Sequence, residues 1–232
     1  MQIDVFTLFP GWFDWMRRPR HLANASGSDQ LELRCFNYRD HTPLPAGQVD
    51  DAPYGGGAGM VLRVDVVAAA LEAVYGMAAE VVKRERHVVL LTPRGRPFSD
   101  AIVREYAEYE RITLLCGRYE GFDGRVHQHL VSDELSLGGF VLSGGETAAM
   151  AVIDAVCRRL PGALGNVESL ERESFSPALD GRVEHLHFSR PAEFRGWPVP
   201  EVLLSGDHAA VARWRDEQSK PPPGPAGAPR RQ

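Results

Sequence analysis

The sequence predicts an α/β domain built on a largely parallel sheet, and three observations predict it. Short, nearly continuous apolar runs recur between turn residues, which is the pattern of strands covered on both faces. Each run passes through a loop rich in Gly, Pro or charge into a stretch of helical composition, the strand, loop, helix order of parallel sheets. At 232 residues and 44% hydrophobic content, the chain can bury the core of one large domain, or of a medium domain with a small companion.

In chain order, residues 2–9 alternate apolar β-branched and aromatic side chains with polar ones and read as a first strand ended by Pro10. A short aromatic helix around Trp12, Phe13, Trp15 and Met16 follows, then a polar loop (Asn24, Ser26, Gly27, Ser28) and a second strand over 31–38. Residues 39–60 have little periodicity and many turn formers, including Pro53, Gly55, Gly56, Gly57 and Gly59, which reads as a binding loop or lid. A helix is predicted over 64–75, a buried strand over 87–91, and a helix from the cap Ser99 to about 109. Further buried strands are predicted at 112–116 and 140–142, with a helical or irregular stretch at 126–130 between them. A helix over 146–159 follows and stops at Pro161-Gly162, and another is expected over 207–218 after the cap Ser205. Residues 220–232, with Pro221-Pro222-Pro223, cannot bury a core and are expected to be disordered.

The densest chemistry lies at 135–150, where the pairs Gly138-Gly139 and Gly144-Gly145 bracket an apolar run. Glycines at that density let a backbone approach a ligand closely. A phosphate loop is excluded, because the residue that should be its lysine is Gly145, and no Gly-x-Gly-x-x-Gly precedes a helix. The loops at 92–97, 117–121 and 136–145 all follow predicted strands, where open α/β sheets bind ligands. The pocket they would line is backbone-rich and nearly free of basic side chains, which suits a neutral adenosine-like ligand.

A net charge of −5 speaks against coating nucleic acid by bulk electrostatics. It leaves room for local patches at Arg17, Arg18, Arg20 and His21, at Arg94 and Arg96, and at Arg213 and Arg215. Three separated cysteines, Cys35, Cys116 and Cys157, fit packing thiols of a reduced cytoplasmic protein. No apolar run reaches the ~18 residues that span a bilayer, so no membrane partner is expected. The spaced pairs His127/His129 and His185/His187 lack a third ligand at metal-site spacing.

Four segments together resemble a known family: Asp50-Asp51-x-Pro53-Tyr54-Gly-Gly-Gly-x-Gly59-Met60, Cys116-Gly117-Arg118-Tyr119-Glu120-Gly121, Leu137-Gly-x-Phe-Val-Leu-Ser143-Gly144-Gly145-Glu146, and Ser205-Gly206-x-His208. In this order over roughly residues 1–219 they resemble the bacterial tRNA (guanine-N1)-methyltransferases that modify the guanosine at tRNA position 37. The resemblance implies a deep C-terminal trefoil knot of the SPOUT class, an exception to the un-knotted rule. It implies a knotted catalytic domain at 1–160, a linker at 161–172, a small, mainly helical tRNA-binding domain at 173–219, and the tail. It also implies a homodimer, S-adenosylmethionine as methyl donor, the tRNA anticodon stem-loop as partner, and magnesium assistance with no ligands that the sequence identifies.

Carried over by position, the donor site would use Thr92, Pro93, Gly117, Tyr119 and Glu120 from the first two loops. From the third it would use Ser136, Leu137, Gly138, Phe140, Leu142, Gly144 and Gly145. The target guanosine would meet Asp51, Tyr54, Gly55, Gly56, Gly57, Gly59, Met60 and Ser174, with Arg158 stabilising charge on O6. Guanine N1 must lose a proton before it can attack, so a carboxylate base is needed. The family's base is an aspartate before Ser-Phe; here that place holds Glu173, before Ser174-Phe175, with Glu171 and Asp180 as nearby carboxylates. Two further departures are Gly139, where an acidic or polar residue is usual, and a Pro-rich tail in place of further basic helix. Two other functions stay open: an impaired homologue that binds donor and tRNA, and a knotted ribose 2′-O-methyltransferase, which the 53–60 loop disfavours.

Overall fold

A computed structural model describes residues 1–18, 20–27, 30–164 and 172–221. The chain divides into two compact units, Met1–Gly165 and Asn166–Gln232. In the first, a five-stranded parallel sheet contains β1 (Gln2–Thr7), β2 (Glu32–Asn37), β5 (Val88–Pro97), β6 (Arg111–Cys116) and β7 (Asp133–Ser136), in the order β2-β1-β6-β5-β7. A two-residue antiparallel ladder, β3 (Asp50–Asp51) with β4 (Val61–Leu62), closes the 52–60 loop.

The continuous apolar strands are explained by cover on both faces. Ile3 and Val5 of β1, Val89 and Leu91 of β5, and Ile112 and Leu114 of β6 enter one core. Phe6, Val88, Leu90 and Leu115 enter the other. This is the two-residue side-chain period of a strand read on a two-sided sheet. The first core is closed by α1 (Arg20–Gly27), α4 (Asp100–Ala107) and α5 (Glu146–Cys157), the second by α2 (Val64–Tyr75) and α3 (Ala79–Glu85). Helix α2 ends at Gly76, whose φ of 67° makes the left-handed turn that stops a helix without a Cβ clash.

Several expectations are corrected. The polar loop at 24–28 is largely helix α1, because Leu22 and Ala25 reach the core and His21 pairs with Asp154 of α5 at 2.9 Å. The expected strand at 140–142 does not form: the last strand of the five-stranded sheet is β7 at Asp133–Ser136, where none was expected, and Phe140 and Val141 are 54% and 84% exposed. Ser99 precedes α4 without a side-chain cap bond. Helix α3 was not expected at all, since its seven residues are too few for a periodic signal.

Residues 92–97, expected as a loop, continue β5. Leu135 is in register with both Leu91 and Arg96, so β5 re-pairs with β7 after a bulge. Gly95 permits this, because a Cβ there would overlap the backbone of Glu134 and Leu135. One Arg-centred cluster fastens the crossing: Arg96 pairs with Glu105 at 2.8 Å and with Asp133, which also accepts from the Tyr106 hydroxyl at 2.7 Å.

In the second unit, the hairpin β8 (Glu193–Phe194) and β9 (Trp197–Pro198) turns through Arg195 and Gly196, both at positive φ. Helix α6 (His208–Gln218) is capped by Asp207, whose Oδ1 accepts from the amides of Ala209 and Ala210 at 3.0 Å. Ser205, the expected cap, instead donates to the Val202 carbonyl. Most of the expected linker, including Glu171, and the tail from 222 onward lie outside the described residues.

Candidate active site

A cavity of about 580 Å³ lies at the carboxyl ends of β5, β6 and β7. Thr92 and Pro93 border it from β5, and Gly117, Tyr119 and Glu120 from the segment after β6. Ser136, Leu137, Phe140, Leu142, Gly144 and Gly145 border it from β7 and the loop into α5. Of the proposed donor contacts only Gly138 is off the wall; its carbonyl accepts from Phe140 N at 2.9 Å and from Ser136 Oγ at 3.1 Å, which shapes the turn.

The glycines have steric reasons. A Cβ on Gly145 would lie 2.7 Å from Cys116 Cα, and the Gly145 amide donates to the Gly117 carbonyl at 2.9 Å, so the two loops are stitched backbone to backbone. A Cβ on Gly117 would meet the Phe122 ring at 2.8 Å. Tyr119 holds φ at 60°, a conformation a bulky residue keeps only when its surroundings impose it, and such residues gather at functional sites.

The cavity is not free of basic groups: Arg94, Arg118 and His127 line it, with Gln128 and Glu134. Sequence reading missed these because strand and loop positions do not reveal which way a side chain turns. His127 comes from a single π-helical turn, Val126–Leu130, a rare geometry frequent at functional sites. Its Nδ1 lies 3.0 Å from Glu134 Oε1.

Behind the glycine loop sits a fully buried carboxylate. Glu146, at the first position of α5, accepts from Thr7 Oγ1 at 2.7 Å. Arg118 Nε approaches it to 3.0 Å, close enough to pair in charge but out of line for a hydrogen bond. The guanidinium lies over the rings of Phe9 and Trp12 at 4.6 and 4.8 Å, and Nη1 donates to the Ser143 carbonyl at 3.3 Å. Burial, with the Glu146 charge, pushes the Cys116 thiol well above its ordinary range. Burial likewise pushes Cys157 up to about 12. Cys35, Cys116 and Cys157 are all free thiols.

The glycine-rich loop is tied to the cavity at its base. Met60 O accepts from Glu120 N at 2.9 Å, and a Cβ on Gly59 would lie 2.5 Å from Glu120 Oε1. Gly55, Gly56, Gly57 and Gly59 all hold positive φ. Tyr54, 99% exposed, stands at the tip, and Asp51 is held by Arg63 at 2.9 Å.

Arg158 is not brought to this cavity. It caps the far end of α5, whose 12 residues separate it from Gly145 by about 20 Å along the axis. Glu173 and Ser174 belong to the second unit, where Ser174 Oγ accepts from Glu184 N at 3.1 Å and Glu173 is half-buried. Asp180 is exposed in a left-handed turn.

Among the described residues one group has metal-site proximity: ligand atoms of His87, Glu105 and Asp133 lie within 4.8 Å of one another. Arg96 already bonds both carboxylates, so a guanidinium fills the place of a cation. His187 pairs instead with Glu184 at 3.0 Å.

A parallel sheet with a glycine-walled cavity of nucleoside size at its strand ends, flanked by a glycine-rich loop, defines an α/β ligand-binding domain of enzyme type. The chain belongs to the tRNA (guanine-1)-methyltransferase TrmD family, whose model matches residues 1–222. It is 47% identical over 219 residues to a tRNA (guanine-N(1)-)-methyltransferase of Dehalococcoides mccartyi strain 195, covering 94% of this chain and 86% of that one. It is 45% identical over 219 residues to the protein of the same name from Brevibacillus brevis strain 47, with the same coverages. The Bacillus cereus strain AH820 protein of that name is also 45% identical, over 94% of this chain and 87% of its own length.

Proposed function

We propose that this protein moves the methyl group of S-adenosylmethionine to N1 of the guanosine at position 37 of tRNA. The observation that carries this reading is the cavity, whose walls fit a nucleoside. A Cβ on Gly145 would strike Cys116 and one on Gly117 would strike the Phe122 ring, so these glycines let the loops close up around the cavity, and the turns at 136–145 would present backbone to the ligand. Thr92, Leu137, Phe140 and Leu142 supply the apolar and hydroxyl surface that would hold adenine and ribose. When bound, the donor supplies an electrophilic methyl on a sulfonium.

The chain's own residues would do the rest. The 53–60 loop, with Tyr54 at its tip, receives an unpaired base of the anticodon loop, the only kind whose Watson–Crick edge is open to protein. The Glu173 carboxylate takes the N1 proton, and Arg158 balances the negative charge that spreads to O6. Because α5 separates Arg158 from the cavity of its own chain, a second copy in a homodimer would supply it. The re-pairing of β5 across β7 at Gly95 is what favours a knotted path for 92–145. Among the described residues, magnesium finds no open ligand set beyond the corner that Arg96 fills, and no step is routed through it. No described helix is long and apolar enough to cross a membrane, consistent with work in the cytoplasm.

Transfer of labelled methyl is the test. A transcript with guanosine at positions 36 and 37 should be methylated, and one with adenosine at 37 should not. Label on the ribose, or on both transcripts, would sink the proposal. Glu173→Asp separates an adapted site from an impaired one: little change means the site is built around Glu, whereas a gain on the order of 10²-fold means the longer side chain misplaces the base.

A further inference from the structure

The glycine-rich loop has little to hold its shape. Residues 54–59 are all exposed, a Cβ on Gly55 or Gly56 would meet nothing within 4 Å, and the stem is only the two-residue ladder of β3 with β4. Glycines in such a loop are free to sample many conformations, and ordering them on binding costs affinity. The course of the loop is therefore set where it leaves the fold, and it has two footings there. One is Glu120, whose amide donates to Met60 O at 2.9 Å. The other is Arg63, the residue between β4 and α2. Its Nη1 donates to Asp51 Oδ2 at 2.9 Å, on the strand that enters the loop, while Nε and Nη2 grip the two oxygens of Asp65 at 3.0 and 2.8 Å. Asp65 lies in the first turn of α2, and the next two residues, Val66 and Val67, are fully buried in the core. The other Asp51 oxygen, Oδ1, accepts from Ala52 N at 2.8 Å, so both oxygens of that carboxylate accept bonds from within the chain.

One guanidinium thus ties the entry of the loop to a helix anchored in the core. We infer that Arg63 is a positioning residue for the tRNA substrate: clamped between Asp65 and Asp51, it holds the 53–60 loop in the conformation that receives the target base, and Asp51 serves the base through this clamp and not by direct contact. The inference rests on the reading of that loop given above and extends it to what fixes the loop's shape.

The test is steady-state methylation by the full chain of the transcript with guanosine at positions 36 and 37, beside titration calorimetry with S-adenosylhomocysteine. Arg63→Met keeps a long unbranched side chain and removes its donors. KM for the transcript should rise about three- to tenfold, the scale of a partly exposed ion-pair network, while kcat and S-adenosylhomocysteine affinity stay within about twofold, the signature of lost binding energy that ground and transition states share. Arg63→Lys, a point charge without the planar fork, should recover part of the loss. Asp51→Asn added to Arg63→Met should raise KM by less than about twofold more, because the two side chains act as one clamp. An unchanged KM in Arg63→Met overturns the inference, and so does a fall in kcat or a parallel loss of S-adenosylhomocysteine affinity, either of which marks damage beyond the loop. A further large rise in KM on adding Asp51→Asn overturns the role given to Asp51. A wild-type chain that leaves the transcript unmethylated overturns the methyl-transfer reading itself, an outcome seen before any variant is made.

Discussion

Two buried carboxylates flank strand β1, Asp4 toward its amino end and Glu146, from α5, at its carboxyl end, and the two are treated differently. At its amino end Asp4, 1% exposed, is saturated: Arg34 donates twice at 2.8 Å, Tyr75 at 2.7 Å and Gln2 at 3.0 Å. At its carboxyl end Glu146, 0% exposed, has one good bond from Thr7 and an arginine out of line, and Arg118 Nη2 has no bonded partner among the described residues. Buried polar groups are ordinarily satisfied, and the exceptions tend to have functional reasons. The saturated end only holds the sheet together. The under-satisfied end lies behind the cavity, whose wall includes Arg118, Gly144 and Gly145.

The largest effect that follows is on stability at the saturated end. Asp4→Ala leaves Arg34, Arg86 and the Tyr75 hydroxyl around an empty site and should lower unfolding free energy by about 3–5 kcal/mol, the scale for breaking a buried pair. Nucleoside affinity of the folded protein should not change, because Asp4 lies at the other end of the strand from the cavity. Denaturant unfolding and calorimetry on the same sample check both halves, and a matching fall in affinity would break the comparison. Glu146→Gln should do the reverse. Its stability loss should be smaller, about 2–3 kcal/mol, since Gln still accepts from Thr7 and Arg118 keeps its two aromatic faces. Its affinity for S-adenosylhomocysteine should fall, because the Arg118 side chain that holds the Ser143 carbonyl loses its counter-charge.

The saturated end and the rest of the sheet were largely legible from the sequence, and the other end only in part. Strands at 2–7, 88–91 and 111–116 and helices at 64–75 and 146–157 announced themselves by apolar periodicity, which depends on burial and little else. The cavity loops were located because strand ends are where such sheets bind ligands. Their charges were not, because Arg118 turns back beneath Phe9 and Trp12 and His127 points in from a π turn, neither of which periodicity encodes. The run 140–142 misled for the same reason: apolar residues that border a ligand cavity look like a buried strand. The crossing at 92–97 was hidden because its signal is a single Gly95 pressed on another strand.

Thr7→Val tests the junction between the two ends. It keeps the shape of the residue but removes the one well-aligned bond to Glu146 and the turn bond that Phe9 N donates to Thr7. The expected loss is about 1.5–2 kcal/mol in unfolding free energy. The double variant Thr7→Val with Glu146→Gln should lose less than the sum of the two, as members of one network do. Strict additivity would mean that Thr7 and Glu146 do not act together.

The smallest effect is a pH dependence in a third cluster, which ought to behave like the saturated end. Asp133 resists ionisation through burial, but hydrogen bonds from Arg96 and Tyr106, with the Arg96 charge, outweigh that and hold its carboxyl below the usual carboxylate range. Beside it, burial holds the His87 imidazole below its ordinary value against the charges of Asp133 and Glu105, with Arg96 adding to the lowering. The His87 ring stacks on Tyr109 at 4.1 Å and meets Tyr106 edge-on. Both groups bind protons more weakly folded than unfolded, so both make stability rise with pH. The His87 contribution should be lost first, as pH falls below about 6.5, and the Asp133 contribution below about 3.9, the unfolded values at which each begins to take up its proton. Urea midpoints measured across this range should fall in two steps, and His87→Phe should flatten the upper one while leaving the lower. A wild-type midpoint that stays constant between about pH 6.5 and 5 would mean that His87 is as free to charge in the fold as outside it, and the cluster would then not belong with Asp4.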